Sequence, residues 1–181
     1  MEYALRILLT NDDGYTGEGL LELKRILEKK HEVWVVAPDK NRSAISHGIT
    51  MYEPLCIKQI DTNFFTCSGV PVDCFMNALK GIMPYAPDVV ISGINKGANL
   101  GTDLVYSGTV AAARQAALVG MKGIAVSLTG GNYDGKSPDG LPPSNGWQFT
   151  ALADFVSNNL SNLCKMCADD IFVNIIWEVY Y

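Results

Sequence analysis

The sequence predicts an α/β protein built on an open, mostly parallel sheet, and three observations carry that prediction. An apolar run at 4–10 leads into the polar turn Asn11-Asp12-Asp13-Gly14, and Leu20, Leu23, Ile26 and Leu27 then recur at helical spacing. A second apolar run at 32–37 completes a β-α-β unit, which requires a parallel pair and a right-handed crossover. Two further buried-strand runs, 87–92 and 123–128, alternate with helix-forming stretches downstream.

The chain has 181 residues, 48% hydrophobic and 18% charged, so one domain over 1–181 with a sizeable core is expected. Its net charge of −5 argues against a nucleic-acid duplex or an anionic membrane as partner. Backbone amides, helix termini and a metal can still hold phosphate locally without net positive charge. No run approaches the roughly 18 apolar residues of a membrane span, and the first residues, with Glu2 and Arg6, lack a secretory apolar region. A soluble, cytoplasmic protein is the expectation. Cys56, Cys67, Cys74, Cys164 and Cys167 are odd in number and form no spacing framework, so they read as reduced thiols. Cys164 and Cys167 make a CxxC, but late in a predicted helix and without two further ligands, which favours core packing over zinc or redox work.

Taken in order, the first strand ends at Thr10 and its turn holds two adjacent carboxylates, Asp12 and Asp13. In mid-strand they would point to opposite faces; past the strand end, a turn at Gly14 lets them converge. The tetrapeptide alone is compatible with a solvated turn or with hard oxygen ligands gathered for Mg²⁺, Mn²⁺ or Ca²⁺. An amphipathic helix is predicted over 17–30, then the strand at 32–37, ended by Pro38. The loop 39–48, with Asn41, Arg42, Ser43, Ser46 and His47, follows a strand's carboxyl end and so shares an edge with Asp12 and Asp13. Two short strands are predicted at 49–60 and 64–67 around the turn Asp61-Thr62-Asn63. Pro71 suits a first helical position, and Asp73, one turn in, suits a capping role there.

The loop predicted at 93–109 is the least ordinary stretch. Glycines at 93, 97, 101 and 108 permit close approach of backbone to a ligand, with Asn95, Asn99 and Asp103 spaced among them. It ends in Ser107-Gly108-Thr109 before a strong helix former, 110–118. Such a helix N-terminus offers N–H groups, hydroxyls and the positive end of a macrodipole, which suit phosphate; N-capping by Ser107 alone is the simpler alternative. There is no GxxxxGK[ST] and no GxGxxG after a strand, and the aspartates are adjacent where a haloacid-dehalogenase phosphatase has Asp-x-Asp. A long loop over 129–146, a helix over 147–164 and a strand over 171–181 complete the chain.

With these residues in view, the sequence resembles the survival protein E (SurE) family of metal-dependent nucleotidases. The matching stretches are Asn11-Asp12-Asp13-Gly14, Arg42-Ser43-Ala44, Ser68-Gly69-Val70-Pro71-Val72-Asp73-Cys74, and Ser92-Gly93-Ile94-Asn95 through Tyr106-Ser107-Gly108-Thr109. The resemblance implies a Rossmann-like, three-layer αβα core and hydrolysis of nucleoside 5′-monophosphates, with 3′-nucleotides or polyphosphate as further substrates. It implies Mg²⁺ or Mn²⁺ on Asp12, Asp13, Ser43 and Asn95, phosphate on Asn99, Ser107, Gly108 and Thr109, and catalytic roles for Asp12, Asp13, Asn99 and Thr109. A non-catalytic nucleotide-binding relative is the alternative. Family members continue from a strand resembling Val173-Asn174 into a proline turn, a hairpin and elements exchanged in dimers. Residues 175–181 depart from that pattern, so the family's C-terminal extension is expected to be absent, while a homo-oligomer, dimer or higher, remains the expected assembly.

Overall fold

The computed structural model describes residues 3–130 and 147–179. Seven strands form one sheet: β1 (Arg6–Thr10), β2 (Glu32–Pro38), β3 (Ile57–Asp61), β4 (Phe64–Cys67), β5 (Val89–Lys96), β6 (Gly123–Gly130) and β7 (Val173–Val179). Their order is β3-β4-β2-β1-β5-β6-β7, and every pairing is parallel except β3 with β4. The helices are α1 (Glu18–Leu27), α2 (Pro71–Asn77), α3 (Asp103–Tyr106), α4 (Gly108–Leu118) and α5 (Thr150–Met166). Helix α1 packs with α5 on one face of the sheet, and α2 packs with α4 on the other.

Strand alternation divides the core between those faces. Ile7 and Leu9 of β1 join Leu20, Leu23 and Leu27 of α1 and Leu152 and Val156 of α5. Leu8, between them, points the other way, into a cluster with Phe75 of α2 and Ala116 of α4. The predicted α/β class and the parallel β-α-β opening are therefore what the chain adopts. All five cysteines are free thiols, and Cys164 lies in the core beside α1.

Three elements differ from the expectation. Residues 49–56 form no strand; β3 begins only at Ile57. Pro54 removes a ladder donor there, and Thr50 is drawn instead to the start of α2, donating its N–H and Oγ1 to the Asp73 carboxylate at 3.0 and 2.6 Å. Asp73 also accepts from the Val70 N–H at 2.9 Å, the capping role expected of it. Strand β5 does not stop at Ser92 but continues through a register shift to Asn95 and Lys96, which pair with Ser127 and Leu128. The 93–109 stretch also contains a short helix, α3. Of the loop predicted at 129–146, Thr129 and Gly130 belong to β6, and 131–146 lie outside the described residues. Among the described residues, no helix is long and apolar enough to cross a membrane.

Candidate active site

From β1 the chain moves to β2 on one side and later returns to β5 on the other, so the strand order reverses between β1 and β5. In open α/β sheets, ligands bind in the crevice at the carboxyl ends of strands at this switch point. Here the turn after β1 and the loop after β5 meet above it.

The turn after β1 is fixed from within. Asn11 donates Nδ2 to the Gly14 carbonyl at 2.9 Å, and its Oδ1 accepts from the Gly14 N–H at 3.2 Å. Gly14 takes φ +100°, a left-handed conformation that favours glycine, and a Cβ there would stand 3.1 Å from the Lys40 backbone carbonyl carbon. The Arg42 N–H donates to the Asp12 carbonyl at 2.7 Å, which places Ser43 beside the same turn.

Asp12 is buried, and its carboxylate lies over the N-terminus of α4. The Thr109 hydroxyl donates to Asp12 Oδ1 at 2.6 Å. Gly108 has only hydrogen where a Cβ would stand 2.9 Å from Asp12 Cβ. Burial raises the Asp12 carboxyl above its ordinary range, against the opposing hydrogen bonds from Thr109 and the backbone there. Asp13 is pushed up to about 6 by burial and then by the charge of Asp12, with Lys96 opposing. A buried carboxylate beside a partly buried one, each resisting ionisation, is a place where a cation lowers the energy of the charged forms.

A cavity of about 230 Å³ opens at this point, and Asp12, Ser43, Asn95, Asn99 and Ser107 all line it. Asp13 lines an adjoining cleft, and Lys96 lines both. Gly108 and Thr109 lie under Asp12, Thr109 fully buried. Ser107 Oγ accepts from the Val110 N–H at 3.0 Å, so it caps α4. The cap uses an oxygen lone pair and leaves the hydroxyl proton for another acceptor. Asn99 donates Nδ2 to Ser127 Oγ at 2.9 Å, and its carbonyl accepts from Asn174 Nδ2 at 3.0 Å. The amide of Asn99 therefore keeps one N–H beyond the Ser127 contact.

Other loop residues turn away from the cavity. The Arg42 guanidinium donates to the Ser68 carbonyl and pairs with Asp39. His47 Nε2 lies 2.8 Å from Gln115 Oε1 on α4. Lys96 had no sequence signal of its own, as one lysine in a polar stretch; only the continuation of β5 brings it between Asp13 and Glu18, whose Oε2 it meets at 2.9 Å.

These features define a Rossmann-like α/β protein with an oxygen-lined site at its switch point. The family model for the survival protein SurE matches residues 7–176, and the chain belongs to that family. It is 48% identical over 178 residues to the 5′-nucleotidase SurE of Treponema pallidum, with 94% of this chain and 89% of that protein covered. Against the 5′-nucleotidase SurE of Brucella abortus it is 48% identical over 124 residues, 68% of this chain and 49% of that protein. The chain thus spans about half the length of the Brucella relative. The crystal structure of the Sure protein from Aquifex aeolicus matches with a TM-score of 0.79 at 35% identity, covering 94% of this chain and 66% of that one.

Proposed function

We propose that the protein is a metal-dependent phosphomonoesterase that hydrolyses nucleoside 5′-monophosphates, with 3′-nucleotides and polyphosphate as further substrates of the same chemistry. The single observation that supports this best is the convergence of Asp12, Ser43, Asn95, Asn99 and Ser107 on one cavity. Relatives of both lengths are named as 5′-nucleotidases, and the non-catalytic alternative has no support of its own.

The donor set fits a divalent cation. Asp12, Asp13, Ser43 and Asn95 supply only hard oxygen ligands at the side chain, two of them charged, which suits Mg²⁺ or Mn²⁺ and also admits Ca²⁺. When bound, the cation supplies Lewis-acid polarisation of the phosphoryl group and offsets the charge of substrate and carboxylates. Without it, a phosphate dianion would meet two carboxylates. Asn99 and Ser107 each offer a proton to the phosphate oxygens, beside the N-terminus of α4 at Gly108 and Thr109. Such donors commonly contribute ~3 kcal/mol each to a barrier. Thr109 holds the Asp12 carboxylate in place. The free thiols suit a reducing, cytoplasmic compartment.

The test is turnover of a phosphomonoester panel with Mg²⁺ or Mn²⁺. Asp12→Asn and Asp13→Asn should each lower kcat/KM at least about a hundredfold in proteins that remain folded by circular dichroism. Near-normal turnover by either variant, or full activity in excess EDTA, would overturn the metal assignment.

A further inference from the structure

The cavity that gathers Asp12, Asn95 and Asn99 has two further walls, and neither belongs to the sheet. One is the loop after β2, which contributes Ser43 and Ala44. The other is α3 with Ser107 at its end, which contributes Asp103 and Tyr106. None of the four residues of α3 is buried, so the core holds it weakly. The Arg42 N–H fixes the start of the loop on the Asp12 carbonyl. Beyond that point Ala44, at φ +57°, and Ser46, at φ +63°, occupy the left-handed region without being glycine. Backbone of this kind persists only where its surroundings over-determine it.

The two walls are tied to each other. The Ser46 N–H donates to the Tyr106 carbonyl at 2.8 Å, and the Ser46 hydroxyl donates to the Val105 carbonyl at 2.7 Å. These bonds join loop to helix but anchor neither to the core. The anchor is α4, whose Ala111, Ala112, Ala113 and Ala116 are wholly buried. From that helix, Arg114 Nη2 donates to the Leu104 carbonyl of α3 at 2.7 Å. Its Nη1 lies 3.5 Å from His47 Nδ1 in the loop. The guanidinium carbon stands 6.0 Å from the centroid of the Phe172 ring, a cation–π distance. Arginine can only donate, so Nδ1 is the accepting nitrogen of His47 and Nε2 carries the proton. Nε2 meets Gln115 Oε1, an acceptor, at 2.8 Å, so both ring nitrogens are paired from α4.

We propose that Arg114 is a positioning residue of the site: from α4 it clasps α3 and the loop after β2 together and so sets the opening between Ser43 and Ser107. Arg114 does not line the cavity and acts through its walls. The proposal rests on the phosphomonoesterase reading only for what turnover reports.

Hydrogen exchange read by mass spectrometry tests the clasp without turnover. Arg114→Met keeps an apolar stem and removes both donors. Exchange should quicken in 43–48 and 103–107, which hold the Ser46 and Ser107 N–H groups, and stay unchanged in β1 and β5, which reports that the fold is kept. Unchanged exchange in either of the two wall segments overturns the proposal. Kinetics test what the clasp does. Arg114→Met should lower kcat about tenfold with KM kept within about threefold, because misplaced groups cost rate where no substrate contact is lost. A lower melting temperature with kcat intact would make Arg114 a residue of stability alone and overturn the proposal. Adding His47→Ala to Arg114→Met should lower kcat no further, since both changes break one clasp; additive losses overturn the route through His47. If the parent protein hydrolyses no phosphomonoester while exchange changes as expected, the clasp stands and the phosphomonoesterase reading falls.

Discussion

Asp12 and Thr109 are 97 positions apart in the chain, yet one hydrogen bond of 2.6 Å joins them. That bond satisfies an oxygen of a buried carboxylate, and leaving such an acceptor unpaired costs about 1–3 kcal/mol. Thr109→Val keeps the shape and removes the donor. Turnover should fall about tenfold on every phosphomonoester, and Thr109→Ser should restore most of it; a loss confined to one base would assign Thr109 to the nucleoside instead. Gly108 offers a second probe. A methyl group there would stand 2.9 Å from Asp12 Cβ and 3.0 Å from Oδ2, too close for real contacts, so the carboxylate must move. Gly108→Ala should therefore lower kcat sharply while circular dichroism stays that of the parent protein, and an unaffected kcat would show that the position of Asp12 is not critical. The motif Ser107-Gly108-Thr109 was legible as a helix N-terminus fit for an anion. That Asp12 lies against it was not, because the contact is made by the sheet order and no local pattern records it.

At the scale of elements, the sequence was most legible where periodicity was strong. The apolar faces of α1 and β2 and the Ser107 start of α4 appear close to where they were expected. The failures have physical causes. Gly93 was expected to open the loop, but it stands at φ +133° with Val126 O 2.2 Å from where a Cβ would be, so here glycine lets β5 shift register and continue. That continuation gives Asn95 and Lys96 a strand's rigidity. The apolar residues of 49–56 suggested a strand, and Asp73 captures Thr50 instead. Between α1 and α5, Glu22 accepts from Arg25 at 2.7 Å and from the Thr150 hydroxyl at 2.6 Å. The Arg25 and Thr150 hydrogen bonds lower its carboxyl from 4.5 to about 2. A carboxyl depressed in the folded state stabilises above its unfolded value and loses that contribution as pH falls through the folded one. The Tm deficit of Glu22→Gln should thus be fully present above pH 4.5 and close as pH falls toward about 2. A deficit that does not change with pH would mean the pair contributes nothing through its charge.

At the scale of the whole molecule, the sheet formed by the described residues has two edges, and they differ in chemistry. One is β3, whose Lys58, Gln59 and Asp61 are exposed and which pairs antiparallel to β4 through an irregular register. Charges and irregularity of this kind discourage further pairing. The other is β7, where Val173, Ile175, Ile176 and Trp177 are half-buried and Glu178 is the one charged residue. Trp177 packs on Phe155 of α5, with ring centroids 5.2 Å apart and the planes tilted by 49°. Along its outer side, no strand among the described residues pairs with it. An apolar strand at the edge of a sheet templates pairing with another chain. We therefore expect the protein to form a homo-oligomer, dimer or higher, through the β7 edge. Light scattering coupled to size exclusion at micromolar concentration should give a mass of at least twice the 19.7 kDa of the chain. Ile176→Lys, which puts a charge on this edge strand on the face away from the α1–α5 core cluster, should shift the distribution toward monomer. A single monomer peak that is unchanged on tenfold concentration would show that the edge is satisfied within its own subunit.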